Sequence, residues 1–267
     1  MRRTSFAQAA VGEGASALNR VFERYRIPIT FSSEQLHLHM TFNDVDAAAS
    51  PLWYDDDGNV LGAAILAIRG KRGWVGGFGV APEYRGRGYA AALCDALEET
   101  ARERGLETIQ LEVLSDNEPA IATYRNAGFE ITRTLRSFER LIEDPQKPPG
   151  FVNATPAEFI GLPDPARPCW QRERATLRNG AVSTGVTDTQ GNYALFRFNS
   201  QAAQVLKADA RDAGGLDTLA HAVAAGRDFQ SVMLLNEPEE SPVADYAIQA
   251  HWTEPFIQYE MMLKLTT

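Results

Sequence analysis

Phe78-Gly79-Val80-Ala81-Pro82-Glu83-Tyr84-Arg85-Gly86-Arg87-Gly88-Tyr89-Ala90 is the stretch on which the reading of this 267-residue chain turns. Apolar residues that end a strand lead into a short glycine-rich turn, and the turn leads into a helix. In that helix Ala90, Leu93, Cys94, Leu97 and Ala101 recur at helical spacing, leaving Asp95, Glu98, Glu99 and Glu103 to solvent. The first amides of a helix have no carbonyl partners within it and sit at the positive end of its dipole, so the junction is an anion cradle. Gly86 and Gly88 keep side chains out of the cradle, and Arg85 and Arg87 add charge suited to a diphosphate.

Working outward, two amphipathic stretches, about Ala7 to Tyr25 and Ser33 to Thr41, are expected as helices. A hairpin follows, with Leu52-Trp53-Tyr54 and Val60 to Ile68 as strands around the turn Asp55-Asp56-Asp57-Gly58-Asn59. The basic turn Arg69 to Arg72 leads to a strand over Trp74 to Val80. Past the central helix, Ile109, Leu111 and Val113 alternate with Gln110 and Glu112, which is strand periodicity. Asn117 is placed to cap a short helix that has Pro119 in its first turn and is stopped by Gly128, and Ile131 to Leu141 is the closing strand.

Glu143 to Gly150 carries three prolines and interrupts every hydrophobic period around it. The sequence therefore predicts a first domain over residues 1–145, a linker over 146–150 and a second domain over 151–267. The second half repeats the first: Gly191-Asn192-Tyr193 echoes Gly58-Asn59-Val60, Ser231 to Pro238 echoes the strand before Asn117, and Val243 to Leu265 echoes Ala120 to Leu141. A period this long means duplicated domains and not a solenoid. Its counterpart of the Trp74 strand is Ala202 to Ala208, but Asp209 to Gly215 replaces the arginine-glycine loop with acidic residues that repel a diphosphate. Tyr246 is placed at the position of Tyr124 in this copy, with a structural role.

A formal net charge of −9 and a pI near 5.0 argue against a nucleic-acid partner. No stretch approaches the roughly eighteen uninterrupted apolar residues of a membrane span, and Met1 to Phe6 has no secretory apolar core, so a cytoplasmic address with no membrane partner is expected. Cys94 and Cys169, far apart and without ligand spacing, are expected as reduced thiols. No metal is expected. His37 and His39, two apart on a helix, diverge, and the Asp55 to Asn59 run lacks calcium-loop spacing and reads as a hairpin turn. Trp53, Trp74, Phe31 and Phe42 are expected in the core, with one or two lining an acceptor pocket.

Three readings compete for the glycine loop. A P-loop would need Lys followed by Ser or Thr after the last glycine. Gly86-x-Gly88-x-x-Ala91 fits the loose dinucleotide fingerprint, but that motif belongs after a domain's first strand, not after a hairpin. The third is the coenzyme A pyrophosphate loop R-x-x-G-x-G/A, read here as Arg85-x-x-Gly88-x-Ala90. Together with Leu111-Glu112-Val113 and Asn117-x-x-Ala120-x-x-x-Tyr124-x-x-x-Gly128-Phe129, it makes residues 1–142 resemble the GNAT superfamily of N-acetyltransferases.

The resemblance implies an α+β GNAT fold, a mixed and mainly antiparallel sheet flanked by helices, in tandem with the second copy degenerate and lacking a CoA loop. It implies acetyl-CoA as co-substrate and direct transfer to a primary amine, a small molecule or a peptide N-terminus, in a ternary complex. Phe78, Gly79 and Val80 then pair with the pantetheine arm, and Arg85, Gly86, Arg87, Gly88, Tyr89 and Ala90 hold the diphosphate, with Asn117 both capping its helix and touching the cofactor. Tyr124 falls at the family position of the proton donor to the departing thiolate. Glu112 is the candidate base, and its twelve-residue separation from Tyr124 resembles the ribosomal-protein-alanine acetyltransferase subgroup. Two alternatives remain open: a water chain in place of Glu112, and a non-catalytic acyl-CoA sensor or scaffold. The second half is expected to brace the first, cover its acceptor pocket or form a subunit contact, as in a homodimer.

Overall fold

The structure, a computed structural model, describes residues 1–143, 148, 150–198, 202–225, 227 and 231–265, so most of the expected linker lies outside the described residues. In chain order the first half holds β1 (Arg2–Ser5), α1 (Val11–Val21), α2 (Ser33–Phe42), β2 (Pro51–Tyr54), β3 (Val60–Arg69), β4 (Arg72–Val80), α3 (Tyr89–Glu103), β5 (Thr108–Leu114), α4 (Glu118–Asn126) and β6 (Glu130–Leu141). The second half holds β7 (Val152–Ala154), α5 (Pro156–Ile160), the single turn α6 (Arg174–Thr176), β8 (Thr184–Thr187), β9 (Tyr193–Phe198), β10 (Ala202–Asp209), α7 (Ala213–Ala224), β11 (Ser231–Pro238), α8 (Pro242–Gln249) and β12 (Thr253–Lys264). Among the described residues no helix is long and apolar enough to cross a membrane.

The chain divides into two compact units, Met1–Thr132 with Glu260–Thr267, and Arg133–Tyr259. This division falls inside β6 and not at residues 146–150, and the reason lies in the strand pairing. From Leu135 to Leu141, β6 runs antiparallel to β11, from Leu135↔Pro238 to Leu141↔Ser231, so it is an element of the second unit's sheet. The first unit takes its last strand from the end of the chain: Leu265 N–H donates to Glu107 O, and Gln110 Nε2 donates to Glu260 Oε2 at 3.4 Å.

In the first unit the strand order is β1-β2-β3-β4-β5-β12, antiparallel between β1 and β4 and parallel between β4 and β5. The run Val60-Leu61-Gly62-Ala63-Ala64-Ile65-Leu66 is apolar at nearly every position because β3 is covered on both faces. Ala63 and Ile65 pack with Leu18, Val21 and Leu36 of α1 and α2, whereas a Cβ at Gly62 would touch Leu93 of α3. Leu93, Cys94, Leu97 and Ala101, the expected stripe of α3, are all buried. Each such leucine contributes about 1.5–3 kcal/mol, and truncating Leu93 to Ala would cost about 2–5 kcal/mol once the cavity is counted.

Helix α1 is shorter than its amphipathic pattern. A 3₁₀ turn at Phe6–Gln8 precedes it, and Arg24, at φ 61°, breaks the helical path beyond Phe22. Helix α2 begins as read, with Ser32 and Gln35 forming a reciprocal capping box. Ser5 and its neighbours add an edge strand, β1, that carried no alternation to reveal it.

The second unit has the order β6-β11-β10-β9-β8-β7, with α7 and α8 packed on Val205, Val232 and Leu234. The expected repeat is visible in its hairpin. Asp55 accepts from the backbone and side chain of Asn59 at 2.8 and 3.0 Å, and Asp188 accepts from the same groups of Asn192 at 2.9 and 2.7 Å.

Candidate active site

Helix α3 starts without a side-chain cap. Gly88 occupies the N-cap position at φ 85°, and Gly86 lies at φ 73°, backbone conformations that L side chains rarely adopt. The first hydrogen bond of the helix runs from Ala92 N–H to Gly88 O. Among the described residues the amides of 86–91 donate to no backbone acceptor, and an added Cβ at Gly86 or Gly88 would meet nothing within 4 Å. The junction is thus an open nest of amides at a helix N-terminus, able to take several oxygens of a diphosphate.

The charges around it differ from expectation in one respect. Arg87 is exposed, with its guanidinium 5.9 Å over the Tyr84 ring. The Arg85 guanidinium instead donates to the carbonyls of Val80 at 3.0 Å, Val21 at 3.1 Å and Glu23 at 2.9 Å. Its charge ties the loop to the end of α1, so Arg85 supports the nest and is not turned toward a diphosphate. Tyr84, between the two, donates to Asp55 Oδ2 and stacks edge-on with Tyr89 at 6.2 Å. That bond and those from Asn59 hold Asp55 down to about 2.

Strands β4 and β5 are hydrogen-bonded only from Arg72↔Thr108 to Val75↔Leu111. At the next residue β4 bulges: Ile65 pairs with Gly77 and Leu66 with Val75, leaving Gly76 over. Beyond the bulge Phe78, Gly79 and Val80 stay on β3, and the β5 side of β4 is open where the expected pantetheine groups lie. The Val80 carbonyl, however, is already taken by Arg85, and Gly79 is pressed on α1, a Cβ there coming within 3.0 Å of Val21.

Tyr124 of α4 is buried and contacts the outer part of β4, its ring 5.5 Å from that of Phe78. With Phe78, Cys94, Leu111 and Leu263 it lines a small apolar pocket. Burial pushes the Tyr124 phenol up, and the neighbouring Cys94 and Tyr25 add to the shift. Burial likewise pushes the Cys94 thiol up to about 12. Glu112, one residue past the last β4–β5 pair, is half-buried, and its Oε2 accepts from Trp74 Nε1 at 2.6 Å. Asn117 caps α4 by accepting from Ala120 N–H at 3.4 Å and also meets the Tyr25 hydroxyl. The structure therefore gathers the glycine loop, the open edge of β4, Tyr124 and Glu112 at the end of the sheet where β4 and β5 part.

The sequence reading missed the aromatic shell of this site. Tyr25 looked like the tail of a helix, but it lies beside Asn117. Trp74 is in the core as expected, and its indole N–H also donates to Glu112. His39 was set aside, but its ring lies between those of Phe31 at 5.5 Å and Trp74 at 5.9 Å. Nothing in local spacing ties positions 25, 39 and 74 together; the fold does.

The second unit keeps the same parting. β10 pairs with β11 only from Ala202↔Ser231 to Val205↔Leu234, and β10 bulges at Leu206, as β4 does at Gly76. Here the gap is filled. Arg172, buried with Glu237 as an ion pair, donates to Leu206 O at 3.0 Å and to Leu235 O at 3.5 Å. The amide nest is closed too, because Asp212 caps α7 and accepts from Gly215 N–H at 2.8 Å. The expected match of Tyr246 with Tyr124 is corrected by one residue. Phe129 N–H bonds to Tyr124 O, and its counterpart Trp252 N–H bonds to Ala247 O, so an alanine stands where the first unit has its phenol.

Residues 17–129 match the model of the acetyltransferase (GNAT) family. Solved structures share the fold over nearly the whole chain. A GCN5-related N-acetyltransferase from Sphaerobacter thermophilus, 14% identical, is matched over 100% of this chain and 96% of its own, with a TM-score of 0.72. A tandem GNAT protein from the clavulanic acid biosynthesis pathway, 16% identical, is matched over 100% and 99%, with a TM-score of 0.68. A putative acetyltransferase from Pyrococcus horikoshii, 15% identical, is matched over 96% and 86%, with a TM-score of 0.65. Likeness at these identities is one of fold, and the motif-bearing first half carries the family. Residues 17–129 are an acetyltransferase domain of the GNAT family, set in a chain with the fold of a tandem GNAT protein.

Proposed function

We propose that the first unit transfers an acetyl group from acetyl-CoA directly to a primary amine and that the second unit holds no cofactor. The observation that carries this reading is the coincidence of unpaired amides at 86–91 with the parting of β4 from β5 after Val75↔Leu111. An elongated ligand with a diphosphate at one end could lie with its anion on the nest and its arm along β4. The fit is better for coenzyme A than for a dinucleotide, because the nest opens onto a strand edge. Gly86, Arg87, Gly88, Tyr89 and Ala90 would hold the diphosphate, and Phe78 and Gly79 the arm.

Acetyl-CoA supplies an activated acyl group and a thiolate that must be stabilised as it leaves. An alkyl ammonium has a pKa near 10 and must lose a proton before it can attack. Glu112 is the acceptor for that proton in this reading, directly or through a water. Tyr124 keeps its own proton, since burial pushes its phenol up. Complete transfer to a thiolate of pKa about 8.5 is therefore uphill, and Tyr124 serves best as a hydrogen-bond donor to sulfur as charge develops there.

Amine-dependent release of free thiol from acetyl-CoA, lost in Glu112→Gln, is the expected result. Tight cofactor binding without release for any amine would favour an acyl-CoA sensor instead.

A further inference from the structure

We infer that Trp74 is a positioning residue for Glu112, with its indole seated over Gly76. The inference rests on the reading of Glu112 as the base. Three observations fix the indole. Its Nε1 donates to Glu112 Oε2 at 2.6 Å, a short bond. Its six-membered ring lies over Gly76, where an added Cβ would come within 2.3 Å of Cζ3 and 2.6 Å of Cη2. The His39 ring covers it from α2 at a centroid distance of 5.9 Å.

The bulge and the parting of β4 from β5 are one event. The β4–β5 register ends at Val75↔Leu111, Gly76 is the residue left over, and Glu112 is the next residue of β5. A base must be held to work. Trp74 supplies one hold through a side chain that is 1% exposed and packed against Gly76 and the His39 ring. The second unit offers an internal contrast. It keeps the bulge but has Leu206 at the place of Gly76, Gln204 at that of Trp74 and Leu235 at that of Glu112, so the whole device is missing where the gap is plugged.

Among the described residues, titratable groups near this corner include His39 on α2, whose ring meets that of Trp74, and Glu260 on β12, which is hydrogen-bonded by Thr132 and by Gln110, the residue paired with Trp74. A donated N–H favours the ionised carboxylate. Losing it makes protonation of Glu112 easier, so the acidic limb of the rate profile must move to higher pH.

The test is Trp74→Phe in the full chain, which keeps an aromatic ring and deletes the donor. With acetyl-CoA affinity unchanged, kcat should fall about tenfold and the acidic limb of kcat/KM should rise by about one pH unit. A purely structural tryptophan would not move the limb. Should the variant fail to fold, indole ¹⁵N–¹H spectra of the parent chain decide. One indole resonance should titrate with pH and lose that titration in Glu112→Gln. If it titrates unchanged in Glu112→Gln, the neighbour it senses is His39 or Glu260 and the inference is wrong. Glu112→Gln with full turnover would overturn the reading of the base itself. An inactive Glu112→Gln beside a Trp74→Phe of parental turnover and pH profile would overturn only the role of Trp74.

Discussion

Replacing Tyr124 with Phe separates stability from chemistry unusually well. The ring is buried against Phe78 and Phe129, with centroids at 5.5 and 5.9 Å, and phenylalanine keeps both contacts. The hydroxyl meets only desolvation and the fields of Cys94 and Tyr25, with no hydrogen bond to a described residue. Removing it therefore leaves no partner stranded, and the melting temperature should be unchanged or slightly raised. If its O–H stabilises charge on the departing sulfur, its loss should cost about 2.7–4 kcal/mol in the transition state, or about 10²–10³ in kcat. Acetyl-CoA affinity should stay within error, so the loss appears in kcat and kcat/KM equally. The assay is thiol release at saturating acetyl-CoA, with a single-turnover experiment to show that chemistry limits the rate. Parental turnover under those conditions would refute the donor role, and a clear drop in melting temperature would show that the hydroxyl has a structural partner.

Other outcomes follow from the same geometry. Gly88→Val places a β-branched residue at φ 85° and intrudes on the nest, so it should abolish coenzyme A binding by calorimetry while the chain stays folded. Arg85→Ala should weaken binding together with stability, by about 1.5 kcal/mol, because it frees three carbonyl contacts; a loss of affinity without loss of stability would restore a direct phosphate role. Ending the chain after Glu143 removes Glu260 to Leu265 from beside β5, and the fragment should not give a cooperative melt. Asp55, depressed to about 2 by Tyr84 and Asn59, contributes stability that is full above its unfolded value near 3.9 and is lost as pH falls through about 2; Asp55→Asn should melt below the parent at pH 5, with the gap closing towards pH 2.

What was legible in the sequence was local. The glycine loop announced itself because a nest of amides needs positive φ at particular positions, and Gly86 and Gly88 supply it. The stripe of α3 and the Asn117 cap are signals carried within a few residues, and they reappear in place. What was hidden depended on pairing across long separations. The proline-rich stretch looked like the domain boundary, yet strand register sends β6 to the second unit and the end of β12 to the first. Arg85 looked like a phosphate ligand because its charge is visible and the carbonyls of Val21 and Glu23, some sixty residues earlier, are not. Arg172 bore no motif at all, but it is the residue that fills the second gap. Tyr246 was off by one because helix α8 could be aligned only by its cap bonds.

The most direct test of the account is to follow where the acetyl group goes. Purified chain, acetyl-CoA and an unfractionated mixture of metabolites and peptides should be incubated and analysed by mass spectrometry over time, with Gly88→Val as the blank. Acetyl groups should accumulate on one class of primary amine, with free thiol released in equal amount, no acetyl retained on the protein, and none of this in the blank. Acetyl held on a side chain of the enzyme, or coenzyme A bound tightly with no amine acetylated, would contradict it.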